Sequence, residues 1–138
     1  MKKILYCFIL TLFPFIVFAD NAKKDDWINP YLIKGYISYN DFNNFISSKD
    51  ERAQSFGAAY LSGIVNTFNW ENIAREQKGL PKIYCAKSAL QLPEVKKLMN
   101  QYANLFNGEP IKKFGDGDLY FFVRLTVRYY HPCPEENK

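Results

Sequence analysis

The chain has 138 residues, 18 lysines and arginines against 14 aspartates and glutamates, and an aromatic content of 17%. This length gives room for one hydrophobic core, so we expect a single domain. The net charge of +4 is too small to indicate a nucleic-acid-binding protein.

Residues 1–19 have the pattern of a secretory signal peptide. Lys2 and Lys3 form a basic start, an apolar run covers Ile4 to Phe18, and Ala19 lies at the expected cleavage position. The alternative is a membrane anchor, but the run is shorter than the roughly 20 residues that a spanning helix needs. We therefore predict cleavage after Ala19, a periplasmic location and no membrane attachment of the mature chain. Its net charge falls to +2, because the leader contains two of the 18 basic residues.

Two cysteines remain in the mature chain, Cys85 and Cys133. An even number of cysteines in an exported protein is typical of a disulfide. The two lie 48 residues apart, and closing a loop of that length stabilises a protein by about 4 kcal/mol in the chain-entropy model. We predict one Cys85–Cys133 bridge.

Residues 20–38 are predicted to form an extended N-terminal segment, because Pro30 and Gly35 interrupt an aromatic stretch. A helical domain is expected over residues 39–138. Ser38 and Asp41 favour the start of a short helix. Its inner face would comprise Phe42, Phe45 and Ile46.

A long helix is predicted over Arg52–Phe68, where apolar or small residues recur with the period of one helix face. These residues are Ala53, Phe56, Gly57, Tyr60, Leu61, Ile64, Val65 and Phe68. Ser48 and Glu51 have the spacing of a capping box. Gly57 and Gly63 each cost about 1 kcal/mol relative to alanine in a helix. We therefore expect both glycines to allow close contact with a neighbouring element.

Residues 69–84 break this pattern, because Trp70 and Ile73 lie off the apolar stripe and Gly79 and Pro81 end any helix there. One turn of helix would still place Glu71 and Arg75, four residues apart, within reach of an ion pair.

The same segment runs into Cys85, so the bridge would tether it. One interpretation is a binding loop; the other is a solvated connection with Trp70 packed against the core. If the segment binds a partner, its contact residues are expected to be Trp70, Glu71, Arg75, Glu76, Lys78 and Lys82.

The next helix is predicted to begin at Pro93 and to end before Gly108 and Pro110. Its apolar face would comprise Val95, Leu98, Met99, Tyr102, Leu105 and Phe106. We expect residues 112–118 to form a linker.

The stretch 119–130 fits two patterns. Its odd positions are all apolar, which is typical of a strand, but Leu119, Phe122, Val123 and Thr126 also form a helical stripe. No second strand is evident in the sequence to pair with it, and an isolated strand is unstable. We therefore predict a helix, which Asp116 or Asp118 would cap.

These elements and a small set of core residues resemble a known family. The residues are Gly57, Tyr60, Leu61, Gly63 and Ile64, with Cys85 ahead of the penultimate helix and a Pro-Cys pair at Cys133. From residue 39 to 133 the chain is similar to the Tai/Rap group of periplasmic immunity proteins, the partners of type VI secretion peptidoglycan amidases. The resemblance implies an all-α bundle of about four helices with one disulfide. Many members carry a second cysteine pair, and the matching positions here are Ile46 and Gly57.

The resemblance implies a protein without catalysis or cofactor that binds a peptidoglycan amidase and blocks it sterically. It leaves the oligomeric state open, with a homodimer as one option, since relatives are often dimeric. His131 is the only histidine, and no C-x-x-C, H-E-x-x-H, P-loop or G-x-S-x-G motif occurs in the sequence. The alternative is an HdeA-like periplasmic chaperone or stress protein. The aromatic content and the single histidine, which limits acid sensing, weigh against it.

Overall fold

A computed structural model describes residues 28–134, without the side chains of Asn29 and Leu32. The predicted signal peptide lies outside this range. The described elements are helical: α1 (Asn29–Lys34), α2 (Tyr39–Ile46), α3 (Glu51–Gln77), α4 (Leu92–Ala103), a short 3-10 turn (Leu105–Gly108), α5 (Glu109–Phe114) and α6 (Leu119–Tyr130). The prediction of a small all-α domain is confirmed. None of the described helices combines the length and the apolar character that a membrane-spanning helix needs.

The start of α2 is built as the sequence predicts. The Ser38 hydroxyl accepts a hydrogen bond from the Asp41 backbone N–H at 3.1 Å, and the Asp41 carboxylate accepts one from the Ser38 N–H at 2.9 Å. Next to this capping box, the Leu119 N–H donates to the Ile37 carbonyl at 2.7 Å. The beginnings of α2 and α6 are therefore joined. The extended conformation expected for residues 20–38 is wrong over the six residues of α1.

Helix α3 is longer than predicted, with 27 residues that end at Gln77 instead of Phe68. The reason is that Asn72 continues the buried stripe one turn beyond Phe68, and a polar residue does not register as part of an apolar pattern. The predicted capping box at Ser48 and Glu51 is also wrong. Asp50 is the N-cap, and its carboxylate accepts a hydrogen bond from the Arg52 N–H at 2.9 Å.

The core lies where α2, α3, α4 and α6 meet. Phe42, Phe68 and Phe122 are almost completely buried there. The ring of Phe122 stacks on Tyr39 at 4.3 Å between centroids, and Phe68 stacks on Tyr120 at 4.7 Å. These aromatic pairs pack α6 against both α2 and α3.

The two glycines of α3 differ in their surroundings. A Cβ atom added to Gly57 would lie 3.0 Å from the Cβ of Phe45 on α2 and 3.4 Å from Cγ2 of Ile46. No heavy atom of a neighbouring element lies within 4 Å of the corresponding position at Gly63. The expected close contact is therefore confirmed for Gly57 and wrong for Gly63.

We expect Gly63→Ala to raise the free energy of unfolding by about 1 kcal/mol, since alanine favours the helix and fits the open space. Gly57→Ala gains the same helix preference but must displace α2, and overpacking of a core costs about 1–3 kcal/mol. Urea unfolding of both variants should therefore rank Gly57→Ala well below Gly63→Ala. Equal stability of the two would contradict the close packing of α2 on α3.

The segment between α4 and α6 is folded differently from the prediction. Helix α4 ends at Ala103, and Phe106, which the pattern places on its buried face, is 71% exposed. The backbone is left-handed at Phe106, Asn107 and Gly108 and turns the chain into α5. Residues 112–114 of the predicted linker belong to α5.

Helix α6 is confirmed over residues 119–130. The carboxylate of Asp118 caps it by accepting a hydrogen bond from the Tyr120 N–H at 2.8 Å. Within the described residues the only strand-like pairing is a single bridge between Ser38 and Asp118.

Candidate partner-binding surface

The six residues predicted to bind a partner do not lie on one loop. Four of them, Trp70, Glu71, Arg75 and Glu76, belong to the last turns of α3; Lys78 caps its C-terminus, and Lys82 lies in the following connection. The prediction of a loop is thus wrong for residues 69–77. The structure presents these side chains on a helix end and on the connection that runs from residue 78 to residue 91, here called the α3–α4 connection.

Two asparagines of α3 hold this connection in place, and the sequence analysis missed both. The buried Asn72 donates from Nδ2 to the Tyr84 carbonyl and accepts at Oδ1 from the Ile83 N–H, each at 2.8 Å. One turn earlier, Asn69 donates to the Leu90 carbonyl at 3.0 Å and accepts from the Leu90 N–H at 2.9 Å. Asparagine is a poor helix former, so two of them three residues apart are the signal that could have identified this role.

The disulfide provides the next attachment. Cys85 and Cys133 are bonded, with their Cα atoms 4.8 Å apart, as the sequence predicts. The Cys85 N–H also donates to the His131 carbonyl at 2.9 Å. The middle of the α3–α4 connection is therefore joined to the chain that leaves α6.

Contacts near the end of α3 attach the first part of the connection. The Leu80 N–H donates to the Arg75 carbonyl at 2.9 Å, and Arg75 Nε donates to the Pro81 carbonyl. Lys82 Nζ lies 2.7 Å from Glu76 Oε1 in an ion pair. Since attachments occur at both ends and in the middle, the connection forms a preorganised surface.

Trp70 is 71% exposed, so the interpretation in which it packs against the core is wrong. Ile73, three residues further on, is also exposed. It lies beside Trp70, because residues three apart are neighbours on a helix surface. Ile73 and Glu76 form one wall of a groove of about 230 Å³, and Lys82, Tyr84 and Lys87 of the connection contribute to the other side. We call Trp70 and Ile73 the α3 ridge.

Glu71 and Arg75 point in a different direction from the ridge. Residues adjacent in a helix are separated by about 100° around its axis, and Glu71 is turned toward α6. Its carboxylate accepts a hydrogen bond from the Tyr120 hydroxyl at 3.1 Å and lies 3.9 Å from Arg75 Nη1, which is the predicted i, i+4 pair. Burial, with the charge of Glu71, raises the pKa of the Tyr120 hydroxyl. Glu71 and Arg75 are therefore bound within the fold. Trp70 and Lys78 are exposed, and Glu76 is exposed while paired with Lys82.

The described residues contain no group of three or more histidine, cysteine or acidic side chains that could hold a metal ion. His131 lies beside the disulfide, and its Nε2 is 3.3 Å from Glu94 Oε1. The two atoms do not meet hydrogen-bond geometry, so this buried Nε2 has no hydrogen-bond partner in the part of the chain that the structure covers. The site therefore offers an exposed surface for contact with a partner.

Comparison of the chain with models of protein families, with curated proteins and with solved structures finds no match.

Proposed function

We propose that the chain is a periplasmic immunity protein, which binds a type VI secretion peptidoglycan amidase and blocks its active-site cleft. The single observation that carries the proposal is the exposed Trp70 on a preorganised part of the surface. Tryptophan is enriched among the residues that dominate binding energy, and leaving so large an apolar side chain in water has no benefit for folding. The disulfide agrees with an oxidising compartment such as the periplasm.

The proposed mechanism is steric. An inhibitor fills a cleft with a large anchor and polar flanking groups; here the α3 ridge is the anchor and Glu76 and Lys78 are the flanks. By the family resemblance the amidase holds a Cys–His pair in its cleft. The carboxylate of Glu76 is 61% exposed, against 34% for that of Glu71, and is the group assigned to pair with that histidine when it is protonated. Docking would exchange the surface ion pair of Glu76 with Lys82 for this contact.

Rigidity favours this mode of inhibition. Side chains and loops that become ordered on binding reduce affinity, and a surface already ordered avoids that loss. The asparagine contacts and the disulfide supply this order before any partner arrives. No catalytic step is assigned to the chain, because a steric block requires none.

The test is Trp70→Ala, measured against a catalytically inactive form of the amidase that the proposal expects the neighbouring gene to encode. Truncating an anchor costs about 2 kcal/mol or more, so we expect the dissociation constant to rise at least about thirty-fold. Isothermal titration calorimetry measures the affinity, and survival of cells that export the active amidase measures protection. Thermal unfolding should be unchanged, because Trp70 is exposed.

Phe106→Ala is the matched control, because Phe106 is exposed to the same extent as Trp70 and belongs to a different part of the fold. It should bind and protect like the wild-type chain. Unchanged affinity of Trp70→Ala, or an equal loss in Phe106→Ala, would exclude the α3 ridge as the anchor. Suppression of protein aggregation at low pH without binding of the amidase would favour the chaperone alternative.

A further inference from the structure

Helix α6 has a second apolar face that the fold leaves partly exposed. Its inner face is buried and consists of Leu119, Phe122, Val123, Thr126 and Val127. On the other side, Phe121 and Tyr129 are 46% and 50% exposed, and Leu125 lies between them at i, i+4, i+8 spacing, which forms one stripe. The alternating pattern of the sequence thus arises from a helix with two apolar faces.

This outer stripe is held at both ends by aromatic contacts. The Phe121 ring lies 5.8 Å from that of Phe114 on α5, and the Tyr129 ring lies 5.6 Å from that of Tyr102 on α4. The stripe is therefore a fixed part of the surface, and a partner would not have to order it.

Two arginines, Arg124 and Arg128, run along the same side of α6 one turn apart. Neither forms an ion pair with any residue in the described part of the chain. The twelve residues of α6 include no aspartate or glutamate. The outer face of α6 is defined as Phe121, Arg124, Leu125, Arg128 and Tyr129. It therefore combines a partly exposed apolar stripe with two arginines that have no ion-pair partner among residues 28–134.

The outer face adjoins the surface described above. Tyr120 of α6 donates its hydroxyl hydrogen bond to Glu71 of α3. Arg124 lies one turn beyond Tyr120. Its positive charge lowers the pKa of the Tyr120 hydroxyl, while burial and Glu71 raise that pKa by more. A stable interface covers about 800 Å² on each partner and about 20–30 residues, which is more than the α3 ridge alone provides.

We infer that the outer face of α6 docks an acidic surface of the same amidase, in which carboxylates surround an apolar centre. This inference rests on the proposed function and specifies the chemistry of the partner. Tyrosine, phenylalanine and arginine are enriched in interface cores, and unpaired arginines favour a partner of opposite charge. A second copy of this chain is a poorer occupant, because two-fold pairing of α6 would bring four arginines together without an acidic residue.

The test is a charge reversal, Arg124→Glu with Arg128→Glu, titrated with the inactive amidase. Like charges facing each other across an interface are strongly unfavourable, so we expect affinity to fall at least about 100-fold. The matched control is Lys96→Glu with Lys97→Glu on the exposed side of α4. The lysine variant changes the net charge by the same amount. A loss of affinity that occurs only in the arginine variant would therefore be due to the outer face of α6 and not to general electrostatic attraction.

A neutral variant guards against misfolding. Arg124→Gln with Arg128→Gln should keep the wild-type unfolding curve, weaken binding about tenfold and reduce its dependence on salt, since screened charge pairs are lost. A wild-type affinity that does not respond to salt would contradict the inference.

The remaining outcomes separate the two proposals. If the wild-type chain does not bind the amidase, the proposed function fails and this inference fails with it. If it binds and the arginine and lysine variants are weakened equally, only the inference fails. The inference is also overturned if the arginine variants instead abolish self-association in sedimentation velocity, or abolish binding to phosphatidylglycerol vesicles.

Discussion

Replacing Cys85 and Cys133 together by serine is expected to lower the free energy of unfolding by about 4 kcal/mol, from the 48-residue separation of the bridged cysteines. At about 4 °C per kcal/mol for a domain of this size, the melting temperature should fall by roughly 15 °C. The bridge acts mainly by restricting the unfolded chain. The native attachments at Asn69 and Asn72 remain, so helical content at 20 °C should be preserved.

Chemical unfolding followed by circular dichroism measures this difference. The control is the wild-type chain with its disulfide reduced, which should unfold like the double serine variant. Free thiols in the exported protein, or identical unfolding with and without reductant, would show that the bridge does not contribute in solution.

The second large effect is expected for Asn72→Ala. Asn72 is buried, and its amide is the partner of the Ile83 N–H and the Tyr84 carbonyl. A buried backbone group left without a partner costs about 1–3 kcal/mol, so leaving two such groups without a partner should destabilise the domain by about 2–6 kcal/mol. We also expect the amide hydrogen of Ile83 to exchange faster, because its acceptor is removed.

Asn66→Ala on the exposed side of α3 is the matched control. It should be neutral or slightly stabilising, since alanine is the better helix former. Hydrogen exchange with mass spectrometry, together with urea unfolding, distinguishes the two variants. Retained protection at Ile83 in Asn72→Ala would mean that other groups, not this amide, order the connection.

If Asn72→Ala loosens the connection, it should also weaken amidase binding while leaving Trp70 in place. This separates the two requirements of the proposed mechanism, which are an anchor and a surface ordered in advance. Trp70→Ala removes the anchor without affecting the order, and Asn72→Ala reduces the order without affecting the anchor.

The sequence by itself determined the elements whose signals are local. The capping box at Ser38 and Asp41 and the cap of α6 at Asp118 use side chains within three residues of the groups they bind. The apolar stripe of α3 up to Phe68 and the buried face of α6 follow from helical periodicity. The disulfide followed from the number of cysteines, because with two in the predicted mature chain only one intramolecular pairing exists.

Only the tertiary structure decided where α3 ends and whether the Trp70 side chain is buried or exposed. Within residues 69–77, Asn69 and Asn72 bind backbone groups 11 to 21 residues further along the chain, and the period of the apolar residues does not report such contacts. The same long-range packing turns Glu71 toward Tyr120, 49 residues away, and leaves Trp70 in solvent. Periodicity gives the angle of a side chain around its helix, but the neighbouring elements determine which angles are covered. That is why the exposure of Trp70 and of the outer face of α6 could be decided only in the folded chain.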